Sequence, residues 1–128
     1  MAIKSKRVHL IERDNRLTRI DGPVWESGFW VISESNAKKL IGGSILFHKK
    51  QNEPSFFGGI ILKYRIQYDG KYAERVIFTF EYQADHRNFL AERGGWSQEK
   101  KIVMATDEEI NEEIAKRIWE KAEKDDHG

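Results

Sequence analysis

Two sequence neighbours, Asp85 and His86 in the run ADHRN (84–88), have the residue types of an acid/base couple: a carboxylate that orients an imidazole, and an imidazole that titrates near neutrality. The run follows a strand-like stretch, where loops often carry function. Joined by His48, the pair would also supply three donors for a metal ion. Spacing argues against that: the four histidines stand at 9, 48, 86 and 127, with no His-x3-His step. The chain has no cysteine, which removes disulfides, thiolate zinc sites and thiol nucleophiles. The Gly-Gly runs GGSILFHKK and RGGWSQEKK lack the spacing and Lys-Ser/Thr ending of a phosphate-cradling loop, and Ser, His and Asp follow no order that marks a triad. On these grounds no catalytic centre, cofactor or metal is expected.

Asp69 with Glu81-Tyr82-Gln83 has the residue types of the paired acids of metal-dependent nucleases, and a hairpin would bring them together. Turn chemistry already explains Asp69 in DGK, however. The aromatics carry a different chemistry. Phe29 and Trp30 are adjacent, so on a strand they must point to opposite faces. One ring enters the core and the other meets a pocket or a helix. A second wall would come from Trp25 or Trp96, both in Gly-containing loop contexts, and a base stacked on such a ring gains roughly 1–3 kcal/mol. His48, if it acts, would donate a hydrogen bond to a base edge or a phosphate. Arg16 and Arg19, with Lys4, Lys6, Arg7 and Arg13, form the densest basic run, followed by the pairs Lys49, Lys50 and Lys100, Lys101; these either position phosphates or solubilise the surface.

The elements that must hold these residues read as follows. VHLIERDNRLTRI (8–20) is a strand pair or an irregular arm, and DGPVW (21–25) is a turn. FWVIS (29–33) is a buried strand. SESNAKKLIGG is a short helix capped by Ser33, Ser35 or Asn36, with Ala37, Leu40 and Ile41 on its apolar face and Gly42-Gly43 ending it. SILFHKK (44–50) is a strand with Ile45 and Phe47 on one face and Leu46 and His48 on the other. FFGGIILKYRIQY (56–68) is a long strand in which Gly58 and Gly59 mark a bulge or a close backbone approach. An Asp-Gly hairpin turn leads to YAERVIFTFEYQ, and KKIVMA is a closing strand. From 106 to 126, a Thr106 cap, acids in the first turn and the stripe Ile110, Ile114, Ile118, Trp119 predict an amphipathic helix. Phe29, Ile32, Ile45 and Phe47 are expected core.

At 128 residues the chain is long enough for one core, and 39% hydrophobic residues are enough to fold it despite 34% charged ones. No run approaches the roughly 20 apolar residues of a membrane span, and the charged start MAIKSKRVHLIERDN is unlike a signal peptide. The expected chain is a cytoplasmic single domain over 1–128 with no membrane partner. The net charge of +1 hides an asymmetry. Residues 106–128 hold nine acidic and four basic residues, leaving 12 of the 21 acidic and 18 of the 22 basic for residues 1–105, a local +6. A basic body is compatible with a polyanion partner.

The succession GFWVIS, NAKKLIGG, SILFHKK, FFGGIIL resembles the PUA-like superfamily, and EVE-type domains most closely, over about residues 28–82. Gly43-Ser44 stands where those domains have Gly-Asp. The resemblance implies an α+β fold: a small, strongly bent mixed β-barrel, a short helix after the first core strand, and here a C-terminal amphipathic helix. It also implies a pocket that holds a base, often a modified one; enzymatic activity is not implied, although the broader superfamily includes amidohydrolases. By matching positions Trp30, Ser33, His48 and Phe57, Gly58 and Gly59 would lie near that pocket. The combined expectation is a DNA- or RNA-binding domain with Trp30, Ser33, His48, Phe57, Gly58, Gly59 and Trp96 at the base and Arg16, Arg19, Lys49 and Lys50 at phosphates. Two alternatives stand beside it: a protein-interaction module self-associating through the acidic helix, and a small metal-dependent nuclease or amidohydrolase using Glu81, Asp85 or His86.

Overall fold

A computed structural model describes residues 3–14 and 16–104; the helix expected over 106–126 lies outside them. The elements run β1 (Arg7–Ile11), β2 (Leu17–Asp21), β3 (Val24–Trp30), α1 (Glu34–Leu40), β4 (Ser44–His48), β5 (Phe57–Ile66), β6 (Val76–Tyr82), a 3-10 turn (Ala84–His86) and β7 (Lys100–Val103). The strands form one mixed sheet in the order β2-β3-β6-β5-β4-β1-β7. Every neighbouring pair is antiparallel except β1 and β4, whose parallel register sets Val8 beside Ile45 and Ile11 beside His48. A parallel pair needs a long crossover, here the β2–β3 hairpin and α1. Among the described residues the fold is thus mostly β with one short helix. Its ladder is open, with β2 and β7 as edges. The sheet curls enough for the Lys100 ammonium, at the start of β7, to donate to the Val31 carbonyl just past β3.

Local chemistry explains most of these elements. Ser33 caps α1, its hydroxyl accepting from the Asn36 N–H at 3.1 Å, which satisfies one orphan donor of the first turn. Ala37 and Leu40 are buried while Ile41 is left 38% exposed. Gly42, at φ +83°, turns the chain out of the helix. Three further glycines are there for space: a Cβ on Gly43 would strike the Lys6 carbonyl, one on Gly58 the Ile45 carbonyl, and one on Gly59 the Glu81 carbonyl. The Gly58-Gly59 stretch is a close approach; the β5–β6 register shift lies further on, between Ile61 and Lys63.

Three expectations change. The run 8–20 does become two strands, but β1 and β2 do not pair; they lie near opposite ends of the sheet. The Asp-Gly signal does not make a two-residue hairpin. Tyr72 to Arg75 belong to the connection Gln67–Arg75, closed by Gln67 N–H to the Arg75 carbonyl at 3.0 Å with Gly70 at φ +80°. Phe29 and Trp30 exchange roles. Against β6, Ser27 pairs with Phe78 and Trp30 with Val76, so β3 carries one extra residue between them. That bulge reverses the alternation: Trp30 turns into the core at 6% exposure, and Phe29 is half-buried at the rim.

The main core lies on one face of the sheet, where Val8, Leu10, Ile45, Phe47, Ile61, Phe78 and Phe80 pack with Trp30 and Leu40. The other face of β1 and β4 is also buried. Its cover is the segment between β6 and β7, clamped by Ser55, whose N–H and hydroxyl donate to the Phe89 and His86 carbonyls at 2.9 and 2.6 Å. The Ser55 carbonyl and hydroxyl accept in turn from Asn88 and Phe89 N–H.

Candidate functional site

Beneath that cover β1 and β4 present His9 and His48, both without solvent exposure. Alternation places them there: Val8 and Leu10 face the core, as do Ile45 and Phe47, so His9 and His48 share the opposite face. Their hydrogen bonds define one tautomer each. A carbonyl can only accept, so His48 Nδ1–H donates to the Glu53 carbonyl at 2.8 Å. His48 Nε2 must then accept, and His9 Nδ1–H donates to it at 2.9 Å. His9 Nε2 accepts from Arg7 Nε–H at 3.0 Å. All four ring nitrogens are used, and an added proton would break a bond in the chain. Burial, then the neighbouring His48, Arg7 and Lys101, pushes His9 down to about 3. Burial lowers His48 too, against the opposing pull of the Glu53 carbonyl.

Trp96 leans on this pair. Its ring is edge-on to His48 at 5.8 Å and tilted against His9 at 6.1 Å, while Phe89 stacks on His9 at 5.8 Å. Lys101, 6% exposed, holds the loop by donating to the Glu92 carbonyl at 2.8 Å and to the Gly94 carbonyl. Trp96 forms a wall of a concavity of about 440 Å³ with Gln51, Asn52, Leu90, Ala91 and Arg93. Its indole N–H is buried and has no hydrogen-bond partner among the described residues. Two amides, a guanidinium and an aromatic wall can stack a flat ring, read its polar edge and meet an anion.

Of the residues expected at a base, the structure brings His48 and Trp96 together and places the others elsewhere. His48 backs Trp96, and neither of its ring nitrogens is left to donate to a ligand. Trp30 sits in the core, its indole N–H donating to Ser27 at 2.9 Å. Ser33 is spent as the α1 cap. Phe57 stacks on Tyr82 at 4.7 Å and meets Trp25 edge-on at 5.0 Å, and Gly58 and Gly59 are filled in by neighbouring backbone. Among the phosphate candidates, Lys49 lies 4.4 Å over the Phe56 ring and Lys50 is exposed, both just before Gln51 and Asn52. Arg16 and Arg19 lie elsewhere, Arg19 Nε–H donating to the Gly22 carbonyl at 2.8 Å. His9 was missed because nothing local marks it; face alternation joined to a parallel β1–β4 register would have found it.

Asp85 and His86 do form a couple. His86 Nδ1–H donates to Asp85 Oδ1 at 2.8 Å, and the Ser44 hydroxyl donates to His86 Nε2 at 2.7 Å while accepting from the Lys4 N–H at 2.9 Å. The order Ser44-His86-Asp85 is that of a nucleophilic relay. Access decides otherwise: Ser44 and His86 have no exposed surface, and neither lines the Trp96 concavity. Burial lowers His86 against the pull of Asp85, and the bond to His86 lowers Asp85. Among the described residues no group of three or more His, Asp or Glu side chains is placed to hold one metal ion. No helix among them is long and apolar enough to cross a membrane.

No family model matches the chain, and no curated protein or solved structure matches it either.

Proposed function

We propose that the chain is a nucleic-acid-binding domain, without catalysis, that seats one base against Trp96. The observation that carries this is the Trp96 ring, backed by His9 and His48, that walls the 440 Å³ concavity with Gln51, Asn52 and Arg93. A base offers a flat face for that ring and ring or carbonyl acceptors for the amides. Gln51 and Asn52 add donors and acceptors at the rim, and Arg93, with Lys49 and Lys50 just before Gln51 in the chain, suits a phosphate. The finer fold reading, a small PUA/EVE-like barrel, belongs to the same proposal; the curled mixed sheet and the placement of α1 after β3 support it. The base site differs from the one that resemblance implies, since Trp30, Ser33 and Phe57 take no part.

The test is a titration of intrinsic tryptophan fluorescence with single-stranded and duplex oligonucleotides at two salt concentrations. Quenching is expected in the native protein and is lost in Trp96→Phe if that ring is the reporter. Trp96→Ala should weaken binding about 5- to 150-fold, the equivalent of roughly 1–3 kcal/mol of stacking. Absence of both quenching and salt-dependent binding removes the reading.

A further inference from the structure

Beyond the Trp96 hollow, which shares no lining residue with them, further concavities line the rim of the curled sheet. Gln51, which lines the Trp96 hollow, donates through its amide to the Gln98 carbonyl at 3.0 Å. Gln98 lines the next hollow, of about 100 Å³, with Phe29, Arg75 and Lys100. Phe29 and Glu99 lead from there into one of about 200 Å³ that includes Arg13 and Arg16. Arg16 and Phe29 lead into a last one of about 420 Å³, flanked by Arg65. Phe29, which lines all three of these further hollows, belongs to a second stacking platform. The Phe29 and Tyr72 rings are parallel within 1° at 4.6 Å, and Arg16 lies 4.6 Å from the Tyr72 ring centre while donating to its hydroxyl at 2.5 Å.

We infer that this track takes a single-stranded oligonucleotide several nucleotides long, one base at Trp96 and a later one on Phe29. The inference rests on the proposed function and extends it to the form of the ligand. A strand with free bases supplies a flat face at intervals and a flexible backbone between them, which a paired duplex does not. The charges fit a modest polyanion contact. Arg13, Arg16, Arg65, Arg75, Lys100 and Arg93 line the four hollows against Glu12, Asp14, Glu26 and Glu99. Three of the cations are already engaged, Arg16 with Asp14 at 3.6 Å, Arg65 with Glu26 at 3.3 Å and Lys100 with the Val31 carbonyl. The excess of two is small, so stacking carries more of the affinity than charge does.

The experiment measures affinity by calorimetry for thymidine 5′-monophosphate, for oligothymidylate and oligouridylate of two to eight nucleotides, and for a duplex of the same length. Affinity should rise at least tenfold from one nucleotide to the length that reaches Phe29, then level off, with the duplex far weaker. Tyr72→Ala and Arg16→Gln should flatten that gain. Circular dichroism confirms that the variants fold. If affinity does not grow with length, or grows undiminished in both variants, the track is overturned while the Trp96 site stands. If neither the mononucleotide nor any oligonucleotide binds, both fall.

Discussion

Lowering the pH from 7 to 5 should cost this fold about 2 kcal/mol through His9 alone. The folded imidazole titrates at about 3 instead of the ordinary 6.5. A histidine with a depressed folded value is stabilising above its unfolded value and loses that contribution as pH falls, because the unfolded chain takes the proton first. At pH 7 the two states differ little in proton uptake. At pH 5 the unfolded histidine lies 1.5 units below its own value and the folded one is still neutral, and each unit is about 1.4 kcal/mol. The assay is urea unfolding at pH 7.5, 6 and 5. His9→Asn is the control: its amide can donate to His48 Nε2 in place of Nδ1–H but cannot take a proton. It should start less stable, because Arg7 loses its acceptor, yet fall less between pH 7 and 5. The remaining fall belongs to His48 and His86, both also lowered. A His9→Asn variant that kept the whole native slope would refute the neutral, bonded His9.

Three further outcomes follow from packing and hydrogen bonding. Gly59→Ala drives a methyl into the Glu81 carbonyl, which a backbone pair cannot yield easily, so it should lower stability by about 3 kcal/mol or more in denaturant unfolding. Ser55→Ala removes the hydroxyl bonds to the His86 carbonyl and Phe89 N–H, a loss of about 1–3 kcal/mol, and should speed hydrogen exchange between residues 83 and 99 more than in β5 and β6; uniform exchange would remove the clamp. Ser44→Ala should destabilise by a similar amount, and a fluorophosphonate probe should leave the native protein unlabelled; labelling that disappears in Ser44→Ala would show an accessible nucleophile where the fold shows a buried tie.

Which parts of this were legible in the sequence depends on the distance over which the information acts. The Ser33 cap, the Gly42 turn and the crowded Gly43, Gly58 and Gly59 are local, and their residue types report them directly. The hydrophobic alternation of β4 also survives, with Ile45 and Phe47 in the core. Parity failed in β3, because one extra residue between Ser27 and Trp30 is defined by pairing with β6 and leaves no mark in GFWVIS. The site was legible in part: Trp96 and His48 were both candidates, yet the pair also rests on His9, 39 positions away from His48 and brought to it by the parallel pairing of β1 and β4. The Arg16, Phe29 and Tyr72 assembly was out of reach for the same reason, being built across 56 residues between Arg16 and Tyr72.

The two faces of β1 and β4 show what the polar side is for. If burial alone mattered, residues like Val8 and Phe47 would serve on both faces, and a histidine pair would be a poor choice, since any unsatisfied nitrogen there is costly. Here every nitrogen is satisfied, in a chain that runs in one direction from Arg7 to the Glu53 carbonyl. A fully satisfied polar network adds little net stability but admits one arrangement of its rings, where an apolar cluster admits several. Trp96 rests on both of those rings. The directional chain therefore orients the indole against its neighbours, and a stacking wall held at one angle loses less rotational freedom on binding a flat ligand than a mobile one does.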